Sequence, residues 1–208
     1  MKMKTAVRKA KAPPERSDWP LVLRLRPALD LTEDQFFALC QLNRDLRLER
    51  TAEGELLIMP PTGWEAGHRN FEISRQLANW AMADGTGYGC DSSTGFRLPN
   101  GAVRAPDAAW LPNERLASFS AHERERFLPV CPDFVLELWS PTDRLCDVQD
   151  KMKEYLANGA RLGWLLYPPE RRVYVYRPGV PVEQRDNPAT LSGDPVLPGF
   201  VLDLRQIW

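Results

Sequence analysis

Hydrophobic and polar positions along the chain alternate in blocks that change period, and each block predicts an element. "LTEDQFFALCQL" places Phe36, Leu39 and Cys40 at helical spacing, and Thr32 with Gln35 forms a capping-box pattern at its start. "LRLERTAEGELLIMPP" reads as two short strands around Glu53-Gly54, stopped by Pro60-Pro61. "GHRNFEISRQLANWAMADG" predicts a strong helix with Phe71, Ile73, Leu77, Trp80 and Ala81 broadly on one face and Gly85 as its stop. Residues 88–112 predict two strands, "TGFRLP" and "VRAPDAAWLP", turning at Asn100-Gly101. "NERLASFSAHERERF" predicts one polar amphipathic helix ended by Pro129. Strand 134–139, helix 147–158 and strand 162–167 then form a βαβ unit with parallel strands and a right-handed crossover. "RRVYVYRPG" alternates as a half-exposed strand, residues 180–194 read as a loop, and "GFVLDLRQIW" closes the chain. The expected architecture is one α/β domain over residues 19–208, a mixed sheet with a βαβ unit flanked by helices.

Composition narrows the class. The chain has 208 residues, 43% hydrophobic and 26% charged, as in ordinary globular proteins. No apolar run approaches the roughly 18 residues of a membrane span, and no secretory signal precedes the first element. Cys40, Cys90, Cys131 and Cys146 lie far apart with no CxxC pair. They read as reduced thiols of a cytoplasmic protein, not as a zinc site or disulfide framework. Net charge is −1, so a nucleic-acid footprint must be a local patch. Residues 1–18 carry Lys2, Lys4, Arg8, Lys9 and Lys11 and read as a disordered basic tail, either solvated or touching nucleic acid.

One ionisable group contradicts its setting. "CPDFVLELWSP" is almost wholly apolar, yet Glu137 sits in its centre. A buried carboxylate is costly unless it is paired, protonated or coordinating a cation. The partner is either an arginine in a structural ion pair or a metal shared with a second carboxylate. Asp107 in "RAPDAAWLP" is the candidate second carboxylate, or else a turn residue. Pro106 before it marks a strand edge or bulge, where side chains are re-aimed into sites. Two carboxylates on neighbouring strands suit Mg²⁺. Phosphodiester hydrolysis also needs a positive group. On the helix after Glu137, Lys151 and Lys153 lie on opposite margins of the apolar stripe, and each is equally readable as a surface lysine.

These residues carry a resemblance. "APDAAW", "PDFVLELWSPTD" and "DKMKEYLANGARLGWLLYPPERRVYVYRPG" resemble the Uma-two family of restriction-endonuclease-like proteins, within the PD-(D/E)XK nuclease superfamily. "ERTAEGELLIMPP", "GHRNFEISRQLANW" and "LPGFVLDL" are similar to it too, so the likeness runs from about residue 30 to the end. It implies a restriction-endonuclease-like core and Mg²⁺-dependent DNA cleavage, with Mn²⁺ a possible substitute. Asp107 matches the PD aspartate and Glu137 the acid of the (D/E)XK motif. The lysine two residues later is replaced by Trp139, and Lys151, four residues before Tyr155, is the position that matches a lysine moved onto the following helix.

Other residues fit less specifically. Glu55 matches an acidic position of the N-terminal hairpin and reads as a contact to metal-bound water or as a solvated strand residue. His68 opens the 67–85 helix and reads as a phosphate contact or as a surface histidine. His122 receives no role. Arg161, Arg171, Arg172, Arg177 and Arg185 form either a stripe against the DNA backbone or a solvated hairpin face. A homodimer suits a nuclease that cuts both strands. A second reading keeps the fold as a nucleic-acid or protein binding module without cleavage. A third uses the two carboxylates as a metal-free acid–base pair.

Overall fold

The computed structural model describes residues 20–208, so the N-terminal tail of the sequence reading lies outside the described residues. The chain forms β1 (Leu21–Leu23), α1 (Glu33–Leu42), β2 (Arg47–Arg50), β3 (Leu56–Met59), α2 (Trp64–Asp84), β4 (Gly87–Asp91), β5 (Phe96–Arg97), β6 (Val103–Arg104) and β7 (Ala108–Pro112). Then follow α3 (Asn113–Ala117), α4 (Ala121–Arg124), β8 (Phe134–Leu138), α5 (Leu145–Ala157), β9 (Leu162–Tyr167), β10 (Arg172–Tyr176), β11 (Glu183–Asp186), β12 (Thr190–Ser192) and β13 (Val201–Asp203). No helix among the described residues is long and apolar enough to cross a membrane.

The βαβ prediction holds: β8 and β9 pair in parallel, with Glu137 opposite Leu165, and α5 connects them. They form the middle of a six-stranded mixed sheet ordered β11-β10-β9-β8-β7-β4. Side-chain alternation sorts the two faces of that sheet. Phe134, Leu136, Leu138 and Trp164 pack with Ile73 and Leu77 of α2. Val135 and Leu165 pack with Met152 and Tyr155 of α5 on the other face. Glu137, two residues from Val135, therefore points toward α5.

A smaller sheet, β1-β3-β2-β6-β5, stands beside the first. Here the prediction of two strands over 88–112 is corrected to four. β5 and β6 pair across the Asn100-Gly101 turn, where Gly101 has φ 88. The chain then leaves this sheet through Ala105-Pro106 and enters the larger one as β7. Proline cannot donate to a ladder, so one continuous strand was never available across residue 106. β4 pairs with β7 instead.

Three further expectations change. The helix expected over 113–127 is two short ones, because Ser120 caps α4 in a capping box with Glu123 and so starts a new helix. α2 begins at Trp64, earlier than the sequence suggests, and Phe71 faces solvent at 68% exposure instead of joining Ile73 and Leu77. The 180–194 loop contains β11, which pairs with β10, and β12, which pairs with β13. α1 is as expected, with Thr32 and Gln35 closing their capping box and Phe36 buried.

Candidate active site

Asp107 and Glu137 meet because of strand register. β7 and β8 run antiparallel with Ala108 opposite Leu136, so the next pair along the ladder is Asp107 with Glu137. Directly opposed residues have Cβ atoms about 5 Å apart. Ala109 and Leu111 of β7 pack in the α5-side core, so Asp107, two residues earlier, projects to that same face. Both carboxylates are nearly buried, 9% and 6% exposed.

Each is held by a defined partner. Asp107 accepts the main-chain N–H of Leu138 at 2.9 Å and the Asn70 side-chain amide at 3.0 Å. Glu137 accepts the Tyr155 hydroxyl at 3.0 Å and lies 2.8 Å from the Lys151 amine. Lys151 and Tyr155 are one helical turn apart on α5, so both reach the same carboxylate.

The sequence reading missed a third carboxylate. Glu49 of β2 is 3% exposed and lies 2.8 Å from the Lys151 amine and 3.2 Å from Arg104. It also accepts the N–H of Ala105 at 3.2 Å. Arg104 in turn pairs with Glu154 of α5 at 2.6 Å. Arg104 and Asp107 flank the crossing between the sheets, which is why residues of both sheets converge here. Glu49 went unseen because its strand alternates, and its polar face reads as solvent-facing when it is the wall of a cleft. Leu48, on the opposite face, packs near Phe36.

Burial and neighbouring charge set the protonation states. Burial pushes Glu137 up to about 7, helped by Asp107 and Glu49 and opposed by Lys151. Burial also raises Asp107, against the Leu138 hydrogen bond and Lys151. Burial acts upward on Glu49 too, but Lys151 and Arg104 outweigh it and hold its carboxyl below the ordinary value. Burial disfavours the Lys151 cation, yet Glu137 and Glu49 more than offset this and hold it protonated. Burial and Glu137 keep the Tyr155 hydroxyl protonated.

Glu49, Asp107, Glu137 and Lys151 line an open cleft of about 1280 Å³, with Tyr155 buried behind them. Its walls carry Glu49, Glu65, Asp107, Glu137, Asp143, Asp147, Asp150 and Glu154 against Arg47, Arg69, Arg104, Arg144 and Lys151. Among the described residues no three His, Cys, Asp or Glu side chains are grouped as a metal cage. A pair of carboxylates suits Mg²⁺ better than a cage, since Mg²⁺ is held by one or two carboxylates with waters and substrate phosphates. The donors at hand are all oxygens. The Asn70 side-chain oxygen, beside Asp107, is buried with no hydrogen-bond partner. The residues therefore fit a hard divalent cation.

Trp139 occupies the place of the usual superfamily lysine. Its ring packs edge-on against Tyr167 with centroids 5.1 Å apart, and its indole N–H donates to the Asp143 carbonyl at 3.1 Å. The amine beside Glu137 comes from Lys151 instead.

The remaining candidates do not join this cluster. Glu55 pairs with Arg24 at 2.9 Å and does not line the cleft. His68 lies in the second turn of α2, not at its start, and stacks on Trp64. Lys153 points outward to Asp150 at 2.7 Å, 64% exposed. Arg161 lies at the opposite end of β9, 3.5 Å from Asp133. Arg172 pairs with Asp186 and Glu170, and Arg177 and Arg185 both pair with Glu183. Arg171 is exposed in a left-handed turn with φ 48. The hairpin arginines thus face acids that β11 supplies, which the sequence reading had taken for a loop.

Comparison with known proteins bears on the fold and the family. No curated protein matches the chain. The solved structure titled "Crystal structure of a putative nuclease belonging to DUF820 from Anabaena variabilis ATCC 29413" superposes with a TM-score of 0.70 at 19% identity, covering 85% of this chain and 97% of that one. That likeness shows the fold, a restriction-endonuclease-like one. The Uma2 family model, described as "Putative restriction endonuclease", matches residues 33–205, and the chain belongs to that family.

Proposed function

We propose that the protein is a Mg²⁺-dependent endonuclease that hydrolyses DNA phosphodiester bonds, with Mn²⁺ able to replace Mg²⁺. The observation that carries this reading is the convergence of Asp107, Glu137 and the Lys151 amine in one open cleft. Asp107 and Glu137 would hold the cation, and the main-chain carbonyl of Leu138 is a further oxygen donor beside them. A bound divalent ion supplies charge stabilisation at the phosphoryl oxygens and a more acidic water.

The chain's own residues do the rest. Lys151 keeps its proton at Nζ, held between Glu137 and Glu49 at 2.8 Å from each. Two of its three N–H groups face these carboxylates, and the third would donate to a non-bridging oxygen on which charge develops. Water oxygen would bond to phosphorus, its proton passing to solvent in the open cleft, as the bond to the leaving sugar oxygen breaks and that oxygen takes a proton from solvent. Tyr155 and the Leu138 N–H fix the two carboxylates in place, the role that outer hydrogen bonds play at metal sites. Arg47 lines the cleft, donates to the Ser92 carbonyl at 3.4 Å and, among the described residues, has no carboxylate within ion-pair distance, so it is the cleft cation available to a DNA phosphate. A homodimer in the cytoplasm is part of the same proposal.

The test is cleavage of single-stranded, duplex and supercoiled DNA in Mg²⁺, in Mn²⁺ and in chelator. Cleavage in either metal, absent in chelator and in Asp107→Asn, supports the reading. Cleavage that persists in chelator points to metal-free acid–base chemistry. DNA binding without cleavage of any form points to a binding module.

A further inference from the structure

Trp64 opens α2 at the rim of the cleft, and 76% of it is exposed. His68, one turn on, lies parallel beneath it, with ring centroids 5.2 Å apart and planes 9° from parallel. His68 is itself exposed, so the pair is not anchored in the core. The outer face of the Trp64 ring is thus open to a further flat partner, and tryptophan is enriched where surfaces are covered by a ligand or partner. Neither ring takes part in the chemistry proposed above.

The cleft beside it is poorly equipped to grip a duplex. A duplex carries about one negative charge per 1.7 Å, and proteins hold it with many cations. Here carboxylates outnumber basic residues along the walls. Four of the five cleft cations already face carboxylates: Arg69, Arg104, Arg144 and Lys151. Of these five, only Arg47 has no carboxylate partner among the described residues, its one hydrogen bond going to the Ser92 carbonyl. Binding energy must then come largely from elsewhere, and stacking of bases on aromatic rings is the usual source for single strands. A base inside a duplex already has both faces covered, whereas an unpaired base has a face to offer.

We infer that Trp64, braced by His68, is a stacking platform for an unpaired nucleobase, so that the substrate class is DNA with single-stranded character. This rests on the nuclease reading for its ligand and sharpens it. Trp64 precedes Asn70, which touches Asp107, by six residues, or about 9 Å of helix rise. That separation matches a base placed beside the phosphate at the carboxylates. In this role Trp64 determines specificity and does not act on the reacting atoms.

The experiment is equilibrium binding of a short oligothymidylate and of a hairpin duplex to the full-length protein. It uses Ca²⁺ in place of Mg²⁺, several salt concentrations, and the variants Trp64→Ala and Trp64→Phe. Wild type is expected to prefer the single strand. Trp64→Ala should weaken single-strand binding by roughly tenfold or more with an unchanged salt slope, and Trp64→Phe should retain most of it. Equal or tighter binding of the duplex by wild type overturns the proposal, as does single-strand binding indifferent to Trp64→Ala. Sedimentation of the same proteins gives a separate arm: if Trp64→Ala turns a dimer into a monomer, the surface belongs to a second copy and the proposal falls. The nuclease reading fails independently. Loss of that reading is absence of metal-dependent cleavage by wild type, which leaves a Trp64-dependent single-strand affinity standing.

Discussion

Asp133 and Glu137 lie four residues apart at the two ends of β8, and each is almost fully buried, 3% and 6% exposed. Asp133 ends in arginine. It pairs with Arg115 and, at 3.5 Å, with Arg161, while its main-chain carbonyl caps the start of β9 by accepting from Arg161 and Leu162. Glu137 ends in a cleft, beside a lysine, a tyrosine and two more carboxylates. One strand thus contains both answers to a buried carboxylate. At one end arginines neutralise it and the charge is structural. At the other, negative charge exceeds what Lys151 offsets, and burial leaves Glu137 half-protonated near neutrality. Surplus negative charge in an accessible place is what the proposed cation would neutralise.

The largest effect that can break this contrast is on cleavage. Glu137→Gln and Lys151→Met should each lower the metal-dependent rate by about 100-fold or more, as removal of a preorganised charged group does. Asp133→Asn should change it by less than about threefold. Initial rates on one DNA substrate decide this, and equal losses at both ends of β8 would erase the distinction.

Stability should move the other way. Asp133→Ala leaves Arg115 and Arg161 without their shared carboxylate, and about 2 kcal/mol of unfolding free energy should be lost. Arg115 is partly exposed, which keeps the figure modest. Glu137→Gln in metal-free buffer above pH 7 should leave stability equal or greater. Urea unfolding of both variants measures this.

A smaller effect follows from the raised Glu137 carboxyl. The unfolded chain releases this proton near the ordinary value of 4.5, whereas the folded protein keeps it until about 7. Between those values the folded state binds more protons, so stability falls as pH rises through this window. Glu137→Gln should remove that part of the slope, and added Mg²⁺ should oppose it. Thermal unfolding from pH 4.5 to 8 with and without Mg²⁺ checks the sign.

The smallest effect is expected at the hairpin. Arg172 already faces Asp186 and Glu170, so Arg172→Ala should leave stability nearly unchanged and alter DNA affinity by less than about twofold. A large loss of affinity would restore the arginine stripe as a backbone contact.

The difference between the two ends of β8 was only half legible in the sequence. Glu137 stood out because an acid in an apolar strand needs a reason; the βαβ periodicity placed both Lys151 and Lys153 on the helix behind it, and the family resemblance singled out Lys151. Asp133 did not stand out, since it follows Pro132 at a strand start, where acids are commonplace. Glu49 was hidden for a different reason. Local alternation tells which residues share a strand face but not whether that face meets water or another sheet. The same limit explains residues 88–112 and 180–194, whose short strands are defined by distant partners and not by their own pattern. α1, with its capping box and periodicity written locally, was readable to its ends, whereas α2 and α5, which lack a side-chain N-cap, were readable from periodicity but start two to three residues earlier than expected.

The central claim is that Asp107 and Glu137 jointly hold a divalent cation, and calorimetric titration with Mn²⁺ tests it most directly. Wild type should bind Mn²⁺ with an affinity that weakens as pH falls through about 7, and binding should be lost in Asp107→Asn and in Glu137→Gln but survive in Asp133→Asn. Absence of binding by wild type, or binding that Glu137→Gln leaves intact, would contradict it.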